Sequence, residues 1–338
     1  MTSKKWKNFE SEVALDPDLP IVDPHHHIWG QDFRNAIFVE PYDLDELLDD
    51  KAGSIHNVVA TVTVDSHAQH FTDGPEALRP VGETVYAERV AQEGGRRGGR
   101  AAGVCAAIVP HADLCLGARV SEVLDAHAQA SPRFRGIRQM LAFHPSLPPI
   151  YGCSEDHLSQ RPEFREGFAE LARRGLSFEA WALQTQLDEV FDLARAYPHA
   201  AIVLNHLGGP LTVGPFADQR EEGFRAWHAS MAELAQCPNV TVKLGGIYVT
   251  QTEPEKIGFP PKPITSQQVA DMHRDYVLAA IELFSPERCM FESNFPVDML
   301  CTTYDNLWNG YKRIAAGFTP EEKALMFGDV AKRVYRIA

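Results

Sequence analysis

Short apolar, β-branched runs alternate with amphipathic segments along the whole chain. The apolar runs predict strands that begin at 21 and recur at 58–64, 104–109, 134–140, 176–181, 201–205, 240–244 and 289–293. The segments between them repeat their apolar residues at helical spacing and predict helices over 41–51, 82–93, 117–130, 163–174, 187–197, 220–236 and 267–284. Two more helices follow the last strand, and the second opens with a capping box at Thr319 to Glu322. Eight strands that alternate with about eight helices predict an α/β fold, the (β/α)8 TIM barrel. A doubly wound open sheet is the alternative, but no Gly-x-Gly-x-x-Gly turn accompanies it.

The longest loops all follow predicted strands. They are rich in Pro and Gly and cover 30–40, 66–81, 144–162, 208–219 and 245–266. In a barrel these loops gather at the carboxyl ends of the strands, where active sites lie. We therefore expect one domain over 20–338, with 1–19 as an N-terminal extension and the site on one face.

Charge and composition narrow the classes of partner. The chain has 338 residues and a formal net charge of -14, which disfavours a nucleic-acid partner because phosphate backbones need clustered Lys and Arg. Six cysteines are scattered without Cys-x-x-Cys spacing, so free thiols in a reducing compartment are expected. The first residues lack the apolar core of a signal peptide, and no run is long enough to span a bilayer. These features predict a cytoplasmic protein, with outer helix faces available for a homo-oligomer.

Candidate chemistry begins at the end of the first strand. The chain there reads Asp23-Pro24-His25-His26-His27, and alternation along a strand places His25 and His27 on the same side. His206 directly follows the apolar run 201–205, where barrel closure brings it toward them. Three histidines with a carboxylate form a plausible zinc or manganese set with an open position for water. Each histidine taken alone is also compatible with a structural or capping role.

Other polar and aromatic residues follow the strands. Arg138, Lys243 and Glu179 lie on predicted strands, and Trp29, Trp181 and Tyr248 are candidates either to wall a pocket or to pack in the core. His67, His70, His111 and His144 lie in loops. Each of these histidines alone is more typical of a solvated or supporting residue than of a metal ligand.

These motifs resemble the amidohydrolase superfamily, in its branch of TIM-barrel metal-dependent hydrolases, which includes sugar-lactone and 2-pyrone-4,6-dicarboxylate lactonases. The matching pieces lie between Pro20 and Ile337, and the most specific are the His-x-His at 25–27 and Asn-His-Leu-Gly-Gly-Pro at 205–210. The resemblance implies that His25, His27 and His206 match site histidines. It implies that Arg138 and Lys243 face the substrate, where they would suit a carboxylate.

One position departs from the family pattern. Where the family has Gly-Ser-Asp-Phe-Pro after the last strand, this chain reads Glu292-Ser293-Asn294-Phe295-Pro296. The family's Asp is a metal ligand and a base, whereas Asn294 can neither accept a proton nor balance a dication. We hypothesise that Glu292 supplies the carboxylate one layer deeper while Asn294 positions water or substrate. The alternative is that Glu292 is a buried ion-pair partner of Lys243 or Arg138, and Asp298 and Asp65 are further candidate bases.

The sequence thus predicts a hydrolase of a lactone or a related carbonyl compound. His25, His27, His206 and Glu292 would bind a divalent metal, zinc or manganese; failing that, the histidines would polarise the carbonyl directly. Glu292 or Asp298 would accept the proton of water. Two alternatives are a metal-dependent non-oxidative decarboxylase of an aromatic acid and a catalytically silent barrel that only binds ligand.

Overall fold

The computed structural model describes residues 12–31, 40–147, 155–248, 250–252 and 262–338. Its strands are β1 (Pro20–His26), β2 (Asn57–Val64), β3 (Ala107–Val109), β4 (Gly136–Arg138), β5 (Ser177–Ala180), β6 (Ala201–Leu204), β7 (Val240–Leu244) and β8 (Cys289–Phe291). Its α-helices are α1 (Leu44–Lys51), α2 (Val81–Arg97), α3 (Val120–Ala130), α4 (Pro162–Arg173), α5 (Leu187–Ala196), α6 (Arg220–Leu234), α7 (Ser266–Phe284), α8 (Tyr304–Ile314), α9 (Pro320–Ala324) and α10 (Val330–Tyr335).

All strand pairs are parallel, and the strands follow one another in chain order around a TIM barrel. Regular ladders join β1 to β3 and β4 to β8. Isolated parallel bridges join the two groups at both seams: Ile108 with Phe134 and His111 with Arg138 at one, and His26 with Phe295 at the other. At the second seam the N–H of His27 donates to the carbonyl of Phe295 at 2.8 Å. The predicted fold class is confirmed.

Asp23 holds the seam between β8 and β1. Its carboxylate accepts hydrogen bonds from the Ser293 N–H at 3.0 Å and from the Tyr304 hydroxyl at 2.9 Å. Burial raises the pKa of Asp23 to about 6. This acid of the first motif therefore joins two strands, and the motif's histidines are left to face the site.

The barrel interior is apolar at the amino-terminal end of the strands and polar above it. Its apolar layer includes Val22, Val62, Val203 and Met290, and α10 closes that end by inserting Val330, Ala331 and Tyr335. Residues two positions further along a strand share the same face. Asn205 and Glu292 therefore point into the barrel directly above Val203 and Met290.

The predicted elements are confirmed except near their ends and at the carboxyl terminus. The capping box at Thr319 is present, but the helix predicted after it is interrupted by a π turn over Leu325–Asp329. A π turn holds more residues per turn than an α-helix. It thereby lets Phe327 pack on Phe291, with ring centroids 4.5 Å apart, while Tyr335 enters the barrel.

The loops after strands are long and the connections from helices back to strands are short, as predicted. Parts of the predicted loops 30–40, 144–162 and 245–266 lie outside the described residues. Of the described helices, none combines the length and apolar composition needed to cross a bilayer. Cys153 lies outside the described residues, and the other five cysteines are free thiols.

Candidate active site

Three of the four predicted metal ligands meet at the carboxyl ends of the strands. The ring centroids of His25 and His206 are 4.6 Å apart, and those of His25 and His27 are 4.9 Å apart. All three residues are at most 5% exposed. The barrel therefore brings together residues that are far apart in sequence.

Glu292 lies beside the Nδ1 atoms of two of these rings. Its Oε1 is hydrogen-bonded to Nδ1 of His206 at 2.7 Å, and its Oε2 lies 2.8 Å from Nδ1 of His25. The backbone N–H of His206 also donates to Oε1, at 3.2 Å. Burial raises the pKa of Glu292 to about 8. The predicted position of this carboxylate, one layer below the histidines, agrees with these contacts.

The surroundings assign the proton of each imidazole. Nδ1 of His27 lies 2.9 Å from the carbonyl oxygen of Val64, which can only accept, so this nitrogen carries the proton. Nε2 of His25 faces the guanidinium of Arg138 at 3.4 Å, which can only donate, so the proton of His25 belongs on Nδ1, toward Glu292. The same assignment holds for His206. Nε2 of His27 and Nε2 of His206 are left as lone pairs, whereas Nε2 of His25 faces Arg138.

Lys243 approaches the same His25 Nδ1, at 3.2 Å. Its shorter contact is the ion pair with Glu179 Oε2, at 2.7 Å, and both side chains are fully buried. Glu179 also accepts hydrogen bonds from Asn205 and from the Tyr335 hydroxyl. Nδ1 of His25 therefore lies between Glu292 and Lys243, and Glu292 Oε2 makes no hydrogen bond within the described residues. The ion-pair partner of Lys243 is Glu179.

Burial keeps the three histidines neutral. It lowers the pKa of His25, His27 and His206 well below the usual value, and the positive charges of Lys243 and Arg138 act in the same direction. Neutral imidazole is the form that binds a metal or accepts a proton. The site is therefore set for ligation at Nε2.

Arg138 is also engaged within the protein. Its guanidinium donates to the carbonyl of Asp65, and Nε lies 3.5 Å from Asp65 Oδ2. The alternative in which Glu292 pairs with Lys243 or Arg138 is not what the contacts show, because each cation has another carboxylate. Both predicted substrate-facing cations are thus neutralised before a substrate arrives.

Asn294 and Asp298 form a pair beside the last strand. The amide Nδ2 of Asn294 donates to Asp298 Oδ1 at 3.0 Å, and both side chains are buried. Asp298 Oδ2 has no hydrogen-bond partner among the described residues. Burial raises the pKa of Asp298 to about 8. Asn294 therefore orients a carboxyl group that retains one unused oxygen.

The aromatic candidates separate into two groups. Trp29 packs near Tyr42, with ring centroids 6.3 Å apart, and its indole donates to the carbonyl of Glu40, so it belongs to the outer core. Trp181 instead meets His206 edge to face, with centroids 4.8 Å apart. Tyr248 is 8% exposed, and the charge of Asp298 contributes to its raised pKa. Of the three aromatic candidates, Trp181 is the one whose ring contacts a site histidine.

Two contributions were missed by sequence reasoning. Tyr335 reaches Glu179 from the last helix, and Asp65, which the sequence offered only as a candidate base, pairs with Arg138 from the end of β2 to β4, with β3 between them. Asp65 carried a weak signal, because it directly follows a strand. Tyr335 carried none, since nothing in its local sequence indicates that its helix closes the barrel.

Comparisons with known proteins agree with this geometry. The sequence model of the amidohydrolase family matches residues 22–337. The chain is 34% identical over 331 residues to the uncharacterised protein y4mH of Sinorhizobium fredii, a match that covers 95% of this chain and 99% of the relative. It is 29% identical over 210 residues to the L-fucono-1,5-lactonase of Burkholderia ambifaria, covering 61% of this chain and 62% of that protein. A zinc-bound amidohydrolase from Burkholderia multivorans superimposes with a TM-score of 0.69 at 21% identity, covering 94% of this chain and 99% of that structure. The chain therefore belongs to the amidohydrolase family of hydrolases.

Proposed function

We propose that the protein hydrolyses an uncharged sugar lactone. The observation that carries this proposal is the cluster of three buried, neutral histidines in which Nδ1 of His27 meets the Val64 carbonyl and Nδ1 of His206 and of His25 lie beside Glu292. The similarity to an L-fucono-1,5-lactonase supports the choice of a cyclic ester. An uncharged substrate fits better than a carboxylate-bearing one, because Arg138 and Lys243 already have internal carboxylate partners.

The residues fit a divalent metal ion. His25, His27 and His206 would hold zinc or manganese through Nε2, and Glu292 would orient two of these rings from below. Among the described residues of this site, the donor atoms that lie within 4.8 Å of one another belong to His25, His206 and Glu292, without His27. Direct ligation by Glu292 would remove the acceptor of the His206 Nδ1 proton. Bound there, the ion would polarise the ester carbonyl and lower the pKa of water.

The chain's own residues supply the remaining steps. Trp181 packs against His206 and limits the freedom of its ring. Asp298, oriented by Asn294, accepts a proton from the attacking water through its unused oxygen. Addition of that water to the carbonyl carbon would be followed by cleavage of the bond between this carbon and the ring oxygen. Return of the proton from Asp298 to the departing oxygen would then give the open-chain hydroxy acid. Asn294 thus orients the base, Asp298, and does not itself accept the proton.

The test is turnover of a panel of aldonolactones, followed by acid release, with metal content measured on the same samples. We expect ring opening, loss of activity on chelation and recovery on adding zinc or manganese. His206→Ala should abolish turnover, whereas His199→Ala, at an exposed position between α5 and β6, should leave it unchanged. Release of carbon dioxide from aromatic acids without lactone opening would favour a decarboxylase. Absence of turnover with every substrate would favour a binding barrel.

We further propose that the protein works in a reducing compartment such as the cytoplasm. The five described cysteines are free, and four of them are buried. This agrees with thiols that are kept reduced. Self-association and the absence of a nucleic-acid partner stay predictions from the sequence.

A further inference from the structure

A second group of donors lies in the loop that follows β2. Asp65, His67 and His70 each place one ligand atom within 4.8 Å of the others. Asp65 is buried, whereas the His67 side chain is 46% exposed. The group is therefore closed on the barrel side and accessible from the face on which the loops lie.

His70 has a buried nitrogen without a partner. Its Nε2 is shielded from solvent and makes no hydrogen bond within the described part of the chain. Leaving a buried polar atom unpaired destabilises the folded state, so such atoms in native structures require an explanation. A bound cation at this nitrogen would supply one.

The neighbouring residues hold the group in place. The backbone N–H of His67 donates to Asp65 Oδ1 at 2.9 Å, and Nδ1 of His67 lies 3.1 Å from the same oxygen. The ring of His111 packs edge-on against His67, with centroids 4.9 Å apart, and Nδ1 of His111 is hydrogen-bonded to the carbonyl of Arg138 at 3.1 Å. The donors are thus positioned by contacts to β2 and to the loop after β3.

The donor types of the group, and not its net charge, favour a transition-metal cation. Glu83 accepts from the Ser66 N–H at 2.8 Å and adds a second buried carboxyl beside Asp65. The guanidinium of Arg138 offsets one negative charge, since its Nε lies 3.5 Å from Asp65 Oδ2. Two imidazoles and one carboxylate are the donor types of zinc and other first-row transition metals, whereas calcium and magnesium prefer oxygen ligands alone.

We propose that Asp65, His67 and His70 bind a divalent transition-metal ion, such as zinc, at a site separate from the three-histidine site. Arg138 lies between the two, with Nη1 3.4 Å from His25 Nε2 and Nε beside Asp65. The ion would displace the proton that His67 holds toward Asp65 and would retain an open position toward solvent for water or a substrate oxygen. This binding does not depend on whether the protein hydrolyses lactones.

A third cluster of the same donor types provides a matched control. Asp156, His157 and Glu189 also lie within 4.8 Å of one another. Both oxygens of Glu189 already accept hydrogen bonds, from Ser159 and His157, and the His157 side chain is 63% exposed. No buried atom of this cluster lacks a partner among the described residues, and it carries no corresponding proposal.

The experiment counts zinc bound to chelator-treated full-length protein by equilibrium dialysis and elemental analysis. His70→Ala should lose one equivalent relative to the wild type, His206→Ala should lose a different equivalent, and the double variant should lose both. His157→Ala should bind as the wild type does. His70→Gln replaces His70→Ala if circular dichroism shows that the alanine variant is unfolded.

The outcomes separate this proposal from the proposed function. A wild type that binds one equivalent, lost in His206→Ala but retained in His70→Ala and His70→Gln, would overturn the second site and leave the first intact. One equivalent lost only in His70→Ala would support the second site and contradict metal binding by the three histidines. A wild type that binds no zinc would overturn both.

Discussion

Individual hydrogen bonds decide which nitrogen of each site histidine can react. Glu292 and the Val64 carbonyl occupy the Nδ1 side of the three rings, and Nε2 is left as a lone pair on His27 and His206. Partners of this kind fix the tautomer and raise the basicity of the ligand. Glu292 is therefore a positioning residue whose effect is exerted through His25 and His206.

Glu292→Gln should lower both activity and metal affinity. The amide keeps the size of the side chain but accepts less strongly and can turn its NH2 group toward a ring, which would destabilise the Nδ1-protonated form. We expect a loss of about 10- to 100-fold in kcat/KM and in zinc affinity. Glu189→Gln, at a buried carboxylate on α5 that bonds Ser159, is the control and should change neither quantity. Equal values for Glu292→Gln and the wild type would contradict the positioning role.

Asp298 should set the pH dependence of catalysis. A carboxyl group acts as a base only when it is deprotonated, and burial raises the pKa of Asp298 to about 8. The value of kcat/KM should therefore rise with pH and level off above about 8. Asp298→Asn should lose about 10²- to 10⁴-fold in activity and should lack this rise.

The control for this experiment is Asp305→Asn. Asp305 lies at the start of α8 and also has a pKa raised by burial. Its carboxylate accepts a hydrogen bond from the hydroxyl of Ser54, away from the three site histidines. Its variant should retain the wild-type profile. An unchanged profile in Asp298→Asn would assign the base to another residue.

At the scale of elements, the last helix completes the barrel. Its Tyr335 fills the amino-terminal end beneath the polar layer, and its hydroxyl donates to Glu179, which in turn pairs with Lys243. The preceding π turn makes this placement compatible with Phe327 on Phe291. Closure of the barrel and alignment of the buried charges thus depend on a segment more than 150 positions from Glu179.

Substitution of Tyr335 should separate packing from hydrogen bonding. Tyr335→Ala should lower the free energy of unfolding by about 3–5 kcal/mol, as expected for loss of a buried aromatic ring. Tyr335→Phe should cost only about 1 kcal/mol, because the ring remains and Glu179 keeps its other donors. Urea unfolding followed by circular dichroism measures both. Equal losses in the two variants would mean that the hydroxyl, and not the ring, stabilises the closure.

At the scale of the whole molecule, the folded barrel contains buried carboxyl groups that are protonated near neutral pH. Burial raises the pKa of Glu83 and Asp298 to about 8 in each case. Their unfolded values are those of ordinary carboxylic acids, so the folded state holds more protons near neutral pH. Stability therefore falls as pH rises through the folded pKa.

The melting temperature of the metal-free protein should show this dependence. Between pH 6.5 and 8 the wild type should lose stability more steeply than Asp298→Asn, which has one fewer group to deprotonate. Calorimetry at a series of pH values gives the difference in slope, and the comparison cancels the titration of all other groups. Parallel curves for the two proteins would show that Asp298 is ionised throughout this range.

Local patterns were enough to predict most of the architecture. The apolar run at 240–244 coincides with β7, because a strand buried on both faces is apolar regardless of its neighbours. The strand predicted over 134–140 is shorter in the structure, where it covers Gly136–Arg138. Ladder pairing ends there because the chain enters the polar loop at the barrel rim. The final helix was predicted without its π turn, because the residues it must reach are distant in sequence.

The sequence by itself determined the barrel and the side of it on which the chemistry lies, because hydrophobic periodicity and the order of strand and loop are local properties. It also indicated His25, His27 and His206 through their positions at strand ends. Only the tertiary structure decided the partners: Glu292 beneath two histidines, Glu179 with Lys243, and Asp65 with Arg138. Pairing of buried charges depends on distances of a few ångströms between strands, and these distances are set only when the barrel closes.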